Sequence, residues 1–258
     1  MVVAAVFLSL RSLAQVEPVA GGTLRASVSE SGVVVRAENE ETARAGLACV
    51  FRMNAEICRA FAVTSPPPRF VAWYTDAAAW SNFSGHAGGA DGRGLCGAGS
   101  IAILAATNDG CEPLAHELVH LVLKQSSPGP LPLWFEEGGA LFFGWRAAQA
   151  VARTDGRNLV RSLPALHEDE LLPTDVIFGC LNYPVLPGSK FAYYRQSEEL
   201  VRALDEKLGD EGVRKLFVAL AGDADLGHCL KREFEYGEAD VRLIADMMRA
   251  RATHKQSW

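Results

Sequence analysis

Hydrophobic and polar positions alternate along the first part of the chain, and the period changes from two residues to about 3.6. Residues 23–37 alternate as strands do, and Gly32 lies at a turn that would join two of them. Residues 38–61 repeat apolar side chains at helical spacing, which predicts an amphipathic helix. Residues 69–75 are rich in aromatic and β-branched side chains, so they predict a third strand.

The second half of the chain has mostly helical periodicity. Between the two halves, residues 80–99 are dense in glycine and small polar residues and predict a long loop, and residues 100–105 predict another strand. Further helices are expected in six stretches: from Cys111, from Leu131, from Lys190 to an end at Gly209, and over residues 213–220, 226–236 and 239–251. A small N-terminal sheet with helices, followed by a helical C-terminal part, is typical of the α+β class.

Two histidines lie four residues apart in the helix that begins near Cys111. His116 to His120 reads H-E-x-x-H. Residues four apart lie on one face of a helix, so both imidazoles can bind one metal ion. Glu117 projects beside them, where it can accept a proton from a water molecule that the ion activates. Because a buried helix with two hydrogen-bonded histidines has the same pattern, the metal site needs support from a further ligand.

Two adjacent glutamates, Glu136 and Glu137, can supply that ligand. They lie in a helix of aromatic and aliphatic residues, where an acidic group costs free energy unless it is paired or binds a metal. Sixteen residues separate His120 from Glu137, which is enough for a helix end, a reversing loop and the start of an antiparallel helix. Two histidines and one glutamate leave a fourth zinc position for water, as a catalytic site requires.

Composition and charge narrow the classes of function. The 258 residues are 49% hydrophobic and carry a net charge of −6, which predicts a packed core and argues against nucleic acid as a partner. Residues 1–20 are a candidate signal segment, because an apolar run precedes small residues, although no basic residue comes before that run. A secreted or periplasmic location is therefore expected. No stretch is long enough to form a stable membrane span.

The six cysteines favour disulfides in an exported protein. An even count is typical of such frameworks, and the absence of C-x-x-C argues against a cysteine zinc site. Cys96 with Cys111 is the candidate pair, because both flank one short strand.

The two motifs together resemble the gluzincin metallopeptidases, specifically peptidase-MA-like domains in which W-x-x-E-G-x-A follows H-E-x-x-H. Trp134, Glu137, Gly138 and Ala140 match the second motif. The resemblance covers about residues 25–248 in the order of the elements, but only the two motifs are specific. It implies a zincin-like fold with a single catalytic domain over residues 21–258. That domain would be α/β to about residue 125 and mainly helical from about residue 126.

The resemblance also implies a cofactor and roles for individual residues. Zinc would be held by His116, His120 and Glu137, with Glu136 as the alternative third ligand. Glu117 would be the general base. Tyr194, or its neighbour Tyr193, would donate a hydrogen bond to the oxyanion.

The implied reaction is hydrolysis of peptide bonds in a peptide or protein substrate. Residues 100–105 would bind the substrate backbone in extended form. The aminopeptidase members carry a Gly-x-Met-Glu-Asn stretch, whereas residues 97–100 here contain no acid, so an endopeptidase is favoured over an aminopeptidase. The alternative is a catalytically silent, zinc-binding module with a peptidase-like fold. The oligomeric state cannot be read from the sequence.

Overall fold

The strands form one five-stranded mixed sheet. In the computed structural model, which describes residues 24–84, 94–97, 99–105, 111–179, 183, 188–254 and 256–257, the strands are β1 (Ala26–Glu30), β2 (Val33–Ala37), β3 (Phe70–Tyr74), β4 (Gly94–Cys96) and β5 (Ser100–Leu104). Their order is β1-β2-β3-β5-β4. The three central strands are parallel, and the outer strands β1 and β4 run antiparallel to their neighbours. The candidate signal segment lies outside the described residues.

The predicted turn between the first two strands is confirmed. Ser31 and Gly32 connect β1 to β2, and both have positive φ angles, 50° and 82°. Two successive positive φ angles define the tight turn whose twist matches that of the flanking strands. Gly32 takes the larger angle without a steric penalty because it lacks a Cβ.

Eight α-helices occur in the part of the chain that the structure describes. Their bounds are α1 (Glu40–Phe61), α2 (Ala77–Ser84), α3 (Cys111–Ser126), α4 (Leu133–Thr154), α5 (Thr174–Gly179), α6 (Ser189–Leu220), α7 (Leu226–Phe234) and α8 (Glu238–Ala252). A short strand pair, β6 (Ser162–Leu163) and β7 (Gln256–Ser257), and a 3₁₀ turn at Glu168–Glu170 complete the elements. The predicted α+β class is confirmed at this level.

The chain forms two compact units, and α1 and α3 each contribute residues to both. The first unit comprises the described residues of Met1–Phe51 and Pro67–Glu117, and it contains the five-stranded sheet. Here α1 packs closely on β3, because a Cβ added to Gly46 would lie 2.9 Å from the Trp73 ring. The second unit comprises Arg52–Pro66 and Leu118–Trp258 and contains most of the helices.

Helix α6 carries a buried run of polar residues in the second unit. Arg195 and Glu199 form an ion pair inside the helix, and Glu198 pairs with Arg161 at 2.7 Å. The Gln196 side chain bonds both the backbone N–H and the backbone carbonyl of Leu172, at 2.8 and 3.1 Å. Each buried charge therefore has a partner, as burial demands, and the segment around Leu172 is tied to α6.

Gly209 divides α6 as its sequence predicts. Its backbone (φ 67°, ψ 174°) is not helical, so the predicted helix end is a kink between two helical stretches.

The prediction of one long loop over residues 80–99 is wrong for the residues that the structure describes. Residues 80–84 belong to α2, and residues 94–96 form β4. Asp76 caps α2 by accepting a hydrogen bond of 2.7 Å from the backbone N–H of Ala79. The fully buried Trp80 packs on Tyr74 and fixes the helix on the sheet. Tertiary burial therefore outweighs the loop-like composition.

Strand β5 is not at the edge of the sheet. It lies between β3 and β4, and β4 is the last strand in the order. The backbone of β5 is thus occupied on both sides, so the expectation that residues 100–105 bind an extended substrate is wrong. Within the described residues, β4 ends this side of the sheet instead.

Five cysteines lie among the described residues, and no disulfide joins any two of them. The candidate pair is therefore not joined: Cys96 lies in β4, opposite Ile101 of β5, and the buried Cys111 begins α3. Cys180 is outside the described residues.

None of the helices within the described ranges combines the length and the apolar character needed to cross a membrane.

Candidate metal centre

Helix α3 presents both histidines of the H-E-x-x-H motif. Glu112 lies in its first turn, where a negative charge is favourable, and most of the remaining surface is apolar and buried. His120 is only 9% exposed, and His116 is half-buried. Packing of this apolar helix therefore holds the two imidazoles one turn apart.

Helix α4 brings the third candidate ligand to the histidines. It begins after Pro132, whose extended backbone suits a helix N-terminus, and Trp134 and Phe135 anchor its first turn in the core. Glu137 follows and is 3% exposed. One ligand atom from each of His116, His120 and Glu137 lies within 4.8 Å of the others. The predicted triad is thus brought together in the structure.

Glu136, the alternative ligand, is not part of this cluster. Burial raises the pKa of Glu136, while the nearby His120 and Lys124 lower it and Glu137 raises it further. The two adjacent glutamates therefore have different surroundings. Glu137 lies in the interior with the histidines, whereas Glu136 is half-buried.

The spacing between His120 and Glu137 fits a shared metal ion better than a direct hydrogen bond. The His120 Nε2 and Glu137 Oε2 atoms are 3.6 Å apart, which is longer than an ordinary hydrogen bond. In a tetrahedral zinc site with bonds of about 2.1 Å, neighbouring ligand atoms are about 3.4 Å apart. Two imidazole nitrogens and one carboxylate oxygen are also a ligand set that zinc accepts. The ligand types and the His120–Glu137 spacing therefore suit a zinc ion, and the ligand atoms, which lie within 4.8 Å of one another, would move closer together on binding it.

Gly138, next to the candidate ligand, allows α4 and α6 to approach closely. A Cβ added at this position would lie 2.5 Å from the carbonyl carbon of Ser197 and 3.0 Å from Val201. No side chain can occupy that space unless the α6 backbone moves. Glycine is therefore needed at this position of the second motif so that α4, the helix that carries Glu137, can lie against α6.

Glu117, the predicted general base, lies against the edge strand β4. It is 7% exposed. A Cβ added to Gly94 would lie 2.7 Å from the Glu117 Cδ atom and closer still to one carboxylate oxygen. The carboxylate therefore uses space that exists only because residue 94 is glycine.

Tyr183 is a site residue that sequence reasoning missed. Its hydroxyl donates a hydrogen bond to Glu137 Oε1. Tyr183 is 41% exposed, but partial loss of hydration raises its pKa and the negative charge of Glu137 raises that pKa further, so the phenol keeps its proton and remains a donor. The residue lies in a proline-containing segment before α6. Only its proximity in sequence to the predicted catalytic tyrosine could have indicated it.

Tyr194, the predicted oxyanion donor, lies beside Tyr183, with the two ring centroids 5.8 Å apart. Tyr193, the alternative, is fully buried. The structure thus connects Tyr194 to Glu137 through Tyr183.

Comparison of the chain with protein-family models and with curated proteins gives no match. The conclusions about function therefore rest on the residues and their geometry.

Proposed function

We propose that this protein is a zinc-dependent peptidase in which His116, His120 and Glu137 hold the ion. The observation that carries the proposal is the convergence of these three side chains, with ligand atoms within 4.8 Å of one another. Bound zinc supplies a Lewis acid that lowers the pKa of a water molecule and polarises a carbonyl group.

In the proposed reaction, Glu117 handles the protons. Its carboxylate would accept a proton from the attacking water and then donate it to the leaving amine. Two features support this role: Glu117 is adjacent to His116 on the same helix, and its carboxylate packs against Gly94, which limits the positions that it can take. A base held in one position contributes more to catalysis than a mobile one.

Strand β4 is the proposed binding edge for the substrate. It is the outermost strand on its side of the sheet as far as the chain is described, and an extended peptide can add to such an edge through backbone hydrogen bonds. A peptide on β4 would pass Gly94 and therefore the carboxylate of Glu117. Residues 94–105 contain no acidic side chain that could bind a substrate N-terminus. We therefore favour cleavage within peptides over removal of terminal residues.

The test compares the wild-type protein with Glu117→Gln on casein and on a mixture of defined peptides, with zinc content measured in both. We expect the variant to keep its zinc and to lose a factor of about 10² to 10⁴ in turnover, the usual contribution of a general base. Equal cleavage by the two proteins would assign the activity to a contaminant. Zinc binding without cleavage by either protein would favour the alternative, a silent zinc-binding module.

A further inference from the structure

The two carboxylate oxygens of Glu137 have different surroundings. Oε1 accepts a hydrogen bond from the Tyr183 hydroxyl. Oε2 faces His120, with its Nε2 atom 3.6 Å away. A carboxylate can bind a metal through one oxygen or through both, and the atoms that hold it decide which. Here one oxygen is engaged by a phenol, and the other is directed at a histidine of the cluster.

We propose that Tyr183 is a positioning residue that makes Glu137 a single-oxygen metal ligand. The hydrogen bond fixes the rotation of the carboxylate and occupies Oε1, so that Oε2 is the oxygen presented to the ion. Partners that orient ligands in this way raise metal affinity because less freedom is lost when the metal binds. This inference rests on the proposed function, since it assumes that the cluster binds zinc.

A second layer of contacts holds Tyr183 itself. The Tyr194 ring lies beside the Tyr183 ring, with the two centroids 5.8 Å apart. The Lys190 ammonium lies 5.4 Å from the centroid of the Tyr183 ring and 5.8 Å from that of Tyr194. Cation–π attraction at these distances favours one placement of both rings.

The order of these contacts gives Tyr194 an indirect role. It supports Tyr183, which in turn orients Glu137. A change at Tyr194 should therefore affect the metal less than a change at Tyr183, although both remove a single hydroxyl. The difference between the two variants is a specific consequence of the contact order, and a general loss of packing would not produce it.

The test measures the affinity for zinc by competition with a chelating indicator. Tyr183→Phe should raise the zinc dissociation constant about 10- to 100-fold, as loss of a ligand-orienting partner does. Tyr194→Phe should have a smaller effect. Tyr236→Phe is the matched control, because Tyr236 packs against Phe234 and is not part of the cluster. We expect its affinity to stay within about twofold of wild type.

A spectroscopic measurement completes the test. With Co²⁺ in place of zinc, the visible absorption reports the number of ligand atoms, and Tyr183→Phe should change it because the released oxygen can also reach the ion. Unchanged zinc affinity and an unchanged cobalt spectrum in Tyr183→Phe would overturn the inference while leaving the zinc site intact. A wild-type protein that binds no zinc would overturn the inference together with the proposed function.

Discussion

Replacing Gly94 by alanine should move Glu117, the proposed general base, without unfolding the protein. The added Cβ would lie 2.7 Å from the Glu117 Cδ atom, whereas ordinary contacts begin at 3.4 Å. The carboxyl group must therefore move by about 0.7 Å or more. The three nearest atoms that the new Cβ would meet all belong to the Glu117 side chain and none is backbone, so the side chain can turn away at a smaller cost to folding than a backbone shift.

The expected loss of activity follows from that displacement. A misplacement of about 1 Å at a reacting group can cost about 10² in rate. A shift of 0.7 Å or more should therefore lower kcat by about 10- to 100-fold, or about 1.4–2.7 kcal/mol in the activation barrier. Zinc content should not change, since Glu117 is not a member of the His116, His120 and Glu137 cluster.

The assay measures kcat and KM on a peptide substrate, together with zinc content and thermal stability. Gly222→Ala is the matched control, because its added Cβ meets its nearest atom at 3.7 Å, an ordinary contact distance. Unchanged kcat in Gly94→Ala would refute the claim that this glycine makes room for a catalytic carboxylate. Loss of zinc or of the folded state would show that the substitution acts on the fold.

Two further substitutions test packing and electrostatics. Gly138→Ala should destabilise the protein by about 1–3 kcal/mol in urea unfolding, because its Cβ would meet the Ser197 backbone, which cannot move cheaply; full stability would contradict the close approach of α4 and α6. Burial raises the pKa of Asp205, against the opposing effect of Arg146. The folded protein thus holds this proton to higher pH than the unfolded chain does, and the resulting stability is lost as pH rises from about 4. The unfolding free energy of wild type minus that of Asp205→Asn should therefore fall with increasing pH. Asp246→Asn, which removes an exposed carboxyl group, is the control variant. A rising difference would contradict the assigned direction.

Local patterns predicted the elements of the fold more reliably than their arrangement. The alternation of residues 23–37, the helical repeat of residues 38–61 and the interruption at Gly209 all depend on neighbours in sequence, and each is present in the structure. The edge position of β4 depends on pairing with β5, and the fold of residues 77–84 depends on burial of Trp80. Neither contact has a local signal, so both were missed.

The candidate site shows the same limit. His116 and His120 are on one helix, where spacing alone sets their relation, and Glu137 could be expected because an acid in an apolar helix needs a partner. Tyr183 comes to Glu137 from a segment without periodicity. The space that Glu117 occupies depends on the absence of a side chain at Gly94. A sequence motif identifies ligands, but it does not identify the atoms that orient them.

The most direct test of the metal site is the zinc content of the purified protein and of two single variants. For wild type we expect about one zinc ion per chain, and in crystals an anomalous signal at the zinc edge beside His116, His120 and Glu137. Glu137→Ala should lose the ion, and Glu136→Ala should keep it, because only Glu137 belongs to the cluster. Less than about half an ion per wild-type chain, or loss of zinc from Glu136→Ala but not from Glu137→Ala, would contradict this assignment.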